Sequence, residues 1–171
     1  QVSDAGPNFG GIREGEHLPN IIQTDNTSEA IWVWTRYFEV TGDNTYFPNI
    51  EAAFTYSLSH PAYLEEGGSL STTGYYRMYN CGWAVTAEQK FRDIYNDLTY
   101  KAYGDSCGSY LRDHTLVRSG GAFYVYVNPP VLSWAMGNLY NAGVHEARTD
   151  WIDAAVQKSR DQVKGWVEVE P

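Results

Sequence analysis

Asn26-Thr27-Ser28-Glu29-Ala30-Ile31-Trp32-Val33-Trp34-Thr35-Arg36-Tyr37-Phe38-Glu39-Val40-Thr41-Gly42-Asp43 is the stretch whose reading decides the fold. Asn26 is placed to cap a helix, and Glu29, three residues on, to close a capping box. Ala30, Ile31, Trp32, Val33, Trp34, Tyr37, Phe38 and Val40 then make the helix apolar nearly all round, which predicts burial on most sides. Gly42 stops it and Asp43 can cap the next helix. Working outward, the same grammar recurs. Three long Gly- and Tyr-rich connections, residues 7–25, 60–80 and 118–130, each lead into a strongly apolar helix. Each such helix ends in a shorter polar turn, near Gly42-Asp43, within 95–105 and within 143–149, before a second helix. The alternation predicts an all-α fold of stacked antiparallel helical hairpins, with every long connection at the same end.

The second helix buries Phe47, Ile50, Phe54 and Leu58 at helical spacing, with Pro48 in its first turn. The third runs from about Cys81 to Tyr95 along a stripe of Ala84, Ala87, Glu88, Phe91, Ile94 and Tyr95. Gly104-Asp105 repeats the Gly42-Asp43 punctuation, and a fourth helix carrying Tyr110, Leu111 and His114 comes after it. Asn128-Pro129-Pro130 opens the fifth, whose buried stripe is Leu132, Ala135, Met136 and Leu139. Thr149 or Asp150 starts the sixth, with Ile152, Ala155, Val156, Ser159, Val163, Trp166 and Val167 inward and Asp153, Lys158, Arg160, Asp161 and Lys164 toward water. The odd helices read as inner, and the one-sided sixth, with the second, as outer: a double layer. Residues 122–127 are β-rich and predict a short strand within the loop face.

At 171 residues and 19.3 kDa the chain reads as one domain, residues 1–171. A net charge of −9 with no basic run argues against nucleic acid. There is no long apolar segment to span a bilayer, and no signal-peptide pattern at Gln1-Val2-Ser3-Asp4. The polar N-terminus without an initiator Met suggests a processed chain or an excised piece of a longer one. The 14 Tyr and 6 Trp suit both a core and stacking surfaces for ring-shaped ligands. If Cys81 and Cys107 open successive antiparallel helices, they lie at opposite ends of one hairpin, too far apart for a disulfide. Both then read as free thiols, compatible with the cytoplasm and with export; an extracellular or cell-surface setting is favoured.

The segments 25–32, 37–43 and Trp134-Ala135-Met136-Gly137-Asn138-Leu139-Tyr140 resemble the six-hairpin (α/α) toroid families, which include many glycoside hydrolases and some polysaccharide lyases. The likeness covers residues 20–170. A complete toroid carries twelve helices and about half that number fit here. The resemblance therefore implies part of a longer protein, or an open array that closes by self-association or against the remaining hairpins of a parent chain.

Glycoside hydrolysis needs two carboxyls flanking the scissile bond. Asp25 and Glu29 lie at the start of the first helix, and Glu65 and Glu66 in the second long connection. Glu29 is explained by its capping box, which leaves Asp25, Glu65 and Glu66 as candidate catalytic acids. Trp34, Tyr76 and Trp83 offer sugar-stacking faces. His60, Tyr76, Arg77 and Asn80 supply the types a uronic-acid lyase uses: a cation or amide for the carboxylate, and Tyr or His for protons. Asn80 reads otherwise as an N-cap. His17, His114 and His145 are scattered without zinc-ligand spacing. An EF-hand loop, a phosphate loop and a serine nucleophile elbow are all absent from the sequence, and Gly67-Gly68 and Gly120-Gly121 read as hinges. No metal or cofactor is expected. The resemblance implies a carbohydrate-active protein, glycoside hydrolase-like, acting on polysaccharide or oligosaccharide. The alternatives are a non-catalytic glycan-binding or assembly fragment of a larger surface protein, and a polysaccharide lyase.

Overall fold

The computed structural model describes residues 1–65, 74–115 and 128–169, the side chains of residues 128, 129 and 163–169 excepted. Six α-helices occur in succession among the described residues: α1 (Thr24–Thr41), α2 (Phe47–Ser59), α3 (Tyr75–Tyr95), α4 (Lys101–Asp113), α5 (Asn128–His145) and α6 (Thr149–Val169). The fold is all-α, as the punctuation predicts. Within each of the pairs α1–α2, α3–α4 and α5–α6 the helices pack on each other, and the pairs meet through α1 on α3 and α3 on α5. Helix α3 is thus the pivot of the core. Phe91 and Met78 on α3 are fully buried with Ile31, Ile50, Phe54, Leu111, Met136 and Leu139 from the helices around it. Phe54 stacks on Tyr100 at 3.8 Å and meets Phe91 edge-on at 5.1 Å, so aromatic packing joins α2 to the α3–α4 hairpin.

Several local expectations change, each for a physical reason. Helix α1 begins at Thr24, so Asn26 is its third residue rather than its cap, and the capping box with Glu29 does not form. Gly42 does end it, at φ 72°, with its N–H on the Phe38 carbonyl at 2.8 Å. Asp43 makes a turn ahead of α2 instead of capping it, accepting the Thr45 N–H at 3.0 Å and the Tyr37 hydroxyl at 2.9 Å. Helix α3 starts at Tyr75, six residues early, after Gly74 at φ 73°. That places Asn80 inside the helix, not at its cap. The chain reverses at Asn96, φ 52°, and α4 begins at Lys101, so Gly104 lies inside a helix. Its role is close approach: a Cβ there would sit 2.5 Å from Glu88 Oε2 on α3.

All-round burial fits α3 better than α1 or α5. Val33, Tyr37 and Val40 of α1 and Tyr140 and Val144 of α5 are exposed, as is Leu58 of α2. On α6, Trp151 and Ala155 are buried while Asp153, Arg160 and Asp161 face water. Lys158 does not: its Nζ donates to the Leu111 and Arg112 carbonyls at 2.6 Å each and to that of His114, satisfying the open C-terminal end of α4. The strand expected at 122–127, the Gly67-Gly68 and Gly120-Gly121 pairs and Glu66 lie outside the described residues. A β-hairpin does occur, in the first long connection. Strands β1 (Ile12–Gly15) and β2 (Leu18–Gln23) pair antiparallel, Ile12 opposite Gln23, and deliver the chain to α1.

Candidate functional site

The first turn of a helix presents backbone N–H groups without intrahelical partners. In α1 the preceding residue, Gln23, supplies no side-chain cap. Glu65, just past a 3₁₀ turn at Ala62–Leu64, does so from 41 residues away. The Thr24 N–H donates to its two oxygens at 3.3 and 3.2 Å, and the Thr24 hydroxyl donates to Oε2. Asn80, fully buried on α3, donates from Nδ2 to the same Oε2 at 2.6 Å. A carboxylate here is favoured by the helix dipole as well as by these donors.

Asp25 is the next residue along α1. Its Oδ1 accepts the Asn26 N–H at 2.7 Å. Burial raises the Asp25 carboxyl from 3.8 to about 6; that N–H pulls it back, while Glu65 and Glu14 add like-charge repulsion. Glu14 arrives on β1 and accepts the Asn26 side-chain amide at 2.6 Å. Three carboxylates from β1, α1 and the second long connection therefore share one neighbourhood. The Tyr56 hydroxyl donates to the Ile22 carbonyl at 3.1 Å, and burial, with Glu65 and Asp25 nearby, pushes it up to about 12.

Aromatic rings run along α3 from this cluster. Tyr75, whose phenol lies in the field of Asp25, contacts Tyr76 edge-on at 5.3 Å and stacks with Tyr79 at 6.3 Å. Trp134 of α5 continues the run, 6.3 Å from Tyr79 and 4.7 Å from Trp83. All five rings are half-buried, so each keeps some face or edge toward solvent.

The structure brings Asp25, Glu65 and Asn80 together, with Tyr76 and Trp83 on the adjoining aromatic run. Trp34, Arg77 and His60 have other neighbours, and Glu66 lies outside the described residues. Trp34 lies nine residues beyond Asp25 on α1, about 14 Å at the helical rise, and stacks on Tyr46 at 5.9 Å. Arg77 is directed at α4, where it donates to the Tyr110 hydroxyl. His60 stacks on Tyr56 at 4.5 Å and lines an open cleft of about 620 Å³ with Pro7, Phe9 and Ser59. Sequence reasoning missed Glu14, Thr24, Tyr56, Tyr75 and Tyr79. The four-residue spacing of Tyr75, Tyr79 and Trp83 is a helical stripe that becomes readable once α3 is started at Tyr75. Glu14 carries no local signal, since only the β-hairpin turns it back to α1.

Among the described residues no group of three or more His, Cys, Asp or Glu side chains is arranged to hold a metal ion, and no helix is long and apolar enough to cross a membrane. Compared with protein-family models, curated proteins and solved structures, the chain matches none of them.

Proposed function

We propose that the chain is a carbohydrate-active protein of the (α/α) toroid type, glycoside hydrolase-like, with Asp25 as its proton-donating acid. The observation that supports this reading is the Asp25 carboxyl itself, held near pKa 6 beside a second carboxylate, Glu65, at the start of α1, where the first and second long connections meet. A carboxyl in that range is protonated often enough near neutral pH to protonate a glycosidic oxygen, and ionised often enough to take a proton back. In this reading Glu65, held by Thr24 and Asn80, supplies the negative charge that offsets the positive charge developing on the sugar ring. Tyr76, Trp83 and Trp134 offer the flat faces on which sugars stack.

The test is a screen of the purified chain against neutral and acidic polysaccharides for reducing-end release and for binding. Asp25→Asn is expected to abolish turnover with binding largely retained, because a general acid acts on the barrier more than on ground-state affinity. Trp83→Ala or Tyr76→Ala is expected to weaken binding by about 1–2 kcal/mol, the scale of one aromatic contact. Turnover that persists in Asp25→Asn would remove Asp25 from the role.

One observation favours a second reading, a non-catalytic glycan-binding module. Glu65 already accepts from the Thr24 N–H, the Thr24 hydroxyl and the Asn80 amide, so its carboxylate is engaged in holding the start of α1 to α3. Binding without turnover, unchanged in Asp25→Asn and lost in Trp83→Ala, would select that reading.

A further inference from the structure

Helix α2 ends at the open cleft that His60 lines. Ser59, its last residue, and Thr55 form that wall with His60, and Pro7 and Phe9 stand on the facing wall. The chain leaves α2 through Pro61, which has no N–H to give the Ser57 carbonyl, and the Ala62 N–H goes to the Tyr103 hydroxyl at 3.4 Å. Among the described residues nothing donates to the Ser57, Leu58 and Ser59 carbonyls, and the last turn of α2 carries no basic residue. Thr55 and Ser59 spend their hydroxyl protons on the Glu51 and Thr55 carbonyls, both at 3.0 Å, so each hydroxyl has only lone pairs left for a ligand. No Lys or Arg is among the lining residues, and Asp4 sits between two of them, Ser3 and Ala5. The facing wall is held at its base. The Gln1 side chain donates to the Gly10 and Asn49 carbonyls at 2.9 and 2.8 Å and accepts from Asn49 at 2.7 Å, while Val2 donates to Gly11 and accepts from Gly10. Gly10, at φ 87°, seats this loop directly on α2: a Cβ there would lie 1.8 Å from the Ala52 carbonyl oxygen. Phe9 beside it is left exposed at the rim.

We propose that this cleft is a binding site for an organic ammonium, a primary amine on a small apolar body, with the charge at the end of α2 and the body against Phe9 and Pro7. This goes beyond the carbohydrate reading and stands without it. The open carbonyls and the negative end of the α2 dipole favour a cation over a neutral group and oppose an anion. An ammonium has three donors and no acceptor, which matches a wall whose free capacity is all acceptor. Phe9 and Pro7 give the apolar body a surface that the fold leaves uncovered, and Phe9 adds the attraction of a ring face for a nearby cation. A cleft of about 620 Å³ is of the size that small-molecule sites occupy. Because Gln1, Val2 and Gly10 fix one wall and stacking on Tyr56 at 4.5 Å fixes His60 on the other, little ordering is left for the ligand to impose.

The experiment titrates the full chain with benzylamine, benzyl alcohol and benzoate, followed by site-resolved NMR. It is run near pH 8, where an alkylamine is protonated and an ordinary imidazole is not. Benzylamine is expected to give saturable shifts confined to residues 3–9 and 55–60. Benzyl alcohol, the same body without the charge, should bind at least about tenfold more weakly, and benzoate not at all. Phe9→Ala is expected to weaken the amine about tenfold. Ser59→Lys puts a tethered ammonium at the same end of the cleft, where a helix C-terminus tolerates it well, and should abolish binding with the fold retained. Benzyl alcohol binding as tightly as the amine, shifts centred on Asp25 and Tyr75 instead, no saturable shift at millimolar amine, or undiminished binding in either variant would overturn the proposal.

Discussion

Two clusters of carboxylates pack against α3, and they are built on opposite rules. In the first, Glu88 is buried between α3 and α4, and Arg92 donates to it from Nε at 3.0 Å and reaches Glu146 as well. Lys101 sits 3.3 Å from Glu146 and 2.8 Å from Asp105. Burial raises the Glu88 carboxyl, and Arg92 and Lys101 oppose it. In the second cluster Asp25, Glu65 and Glu14 meet donors that are all neutral, from Thr24, Asn26 and Asn80. Among the described residues, no cation is one of the leading influences on Asp25. A balanced buried network belongs to the fold. An unbalanced one costs stability, and that asymmetry is what marks a candidate site.

The comparison breaks most readily at Arg92. Arg92→Met leaves Glu88 buried without its principal partner, and is expected to cost about 3–5 kcal/mol, read as a fall in the urea midpoint at unchanged slope. A midpoint equal to wild type would mean that this network is not what holds α3, α4 and the end of α5 together.

The opposite sign is expected at Asp25. Its folded-state pKa is raised from 3.8 to about 6, so between those values the folded chain holds more protons than the unfolded one and stability falls as pH rises. Above pH 6 the cost is fully present; below pH 4 it is gone. Asp25→Asn removes it, and is expected to stabilise the chain by about 2 kcal/mol at pH 7 with no gain at pH 3.5. Thermal melts of both proteins across that range check the sign, and a variant less stable than wild type at pH 7 would contradict it.

How much of the structure was legible in the sequence depends on how local each interaction is. Gly42 ending α1, the Leu132, Ala135, Met136 and Leu139 stripe, and the start of α6 are all set within a turn or two of chain, and all are found. Asn26 looked like a cap because its neighbours fit a capping box, yet Glu65 from 41 residues away supplies the acceptor and moves the helix start to Thr24. Gly104 looked like punctuation because its tertiary use, admitting Glu88, leaves no local trace. Asp25 is the acid that no local motif explains in the sequence, and the structure buries it near Glu65 and Glu14. Its neighbours Glu14 and Tyr56 come from elements whose return to α1 no periodicity records.

A smaller effect sharpens the same contrast. Glu65→Gln keeps an acceptor for Thr24 but removes the charge, and is expected to cost about 1 kcal/mol in capping α1. It should also lower the Asp25 midpoint while leaving it above 3.8, because burial is the larger cause of the shift and the like charge the smaller. An Asp25 midpoint that does not move would mean that the two carboxyls do not interact.

The central claim is that Asp25 is a proton-exchanging acid near neutral pH rather than an ordinary carboxylate at a helix start. Site-resolved carbon NMR of the Asp25 carboxyl across a pH titration tests it most directly. The account predicts a midpoint of about 6; a midpoint at or below the ordinary 3.8 would contradict it.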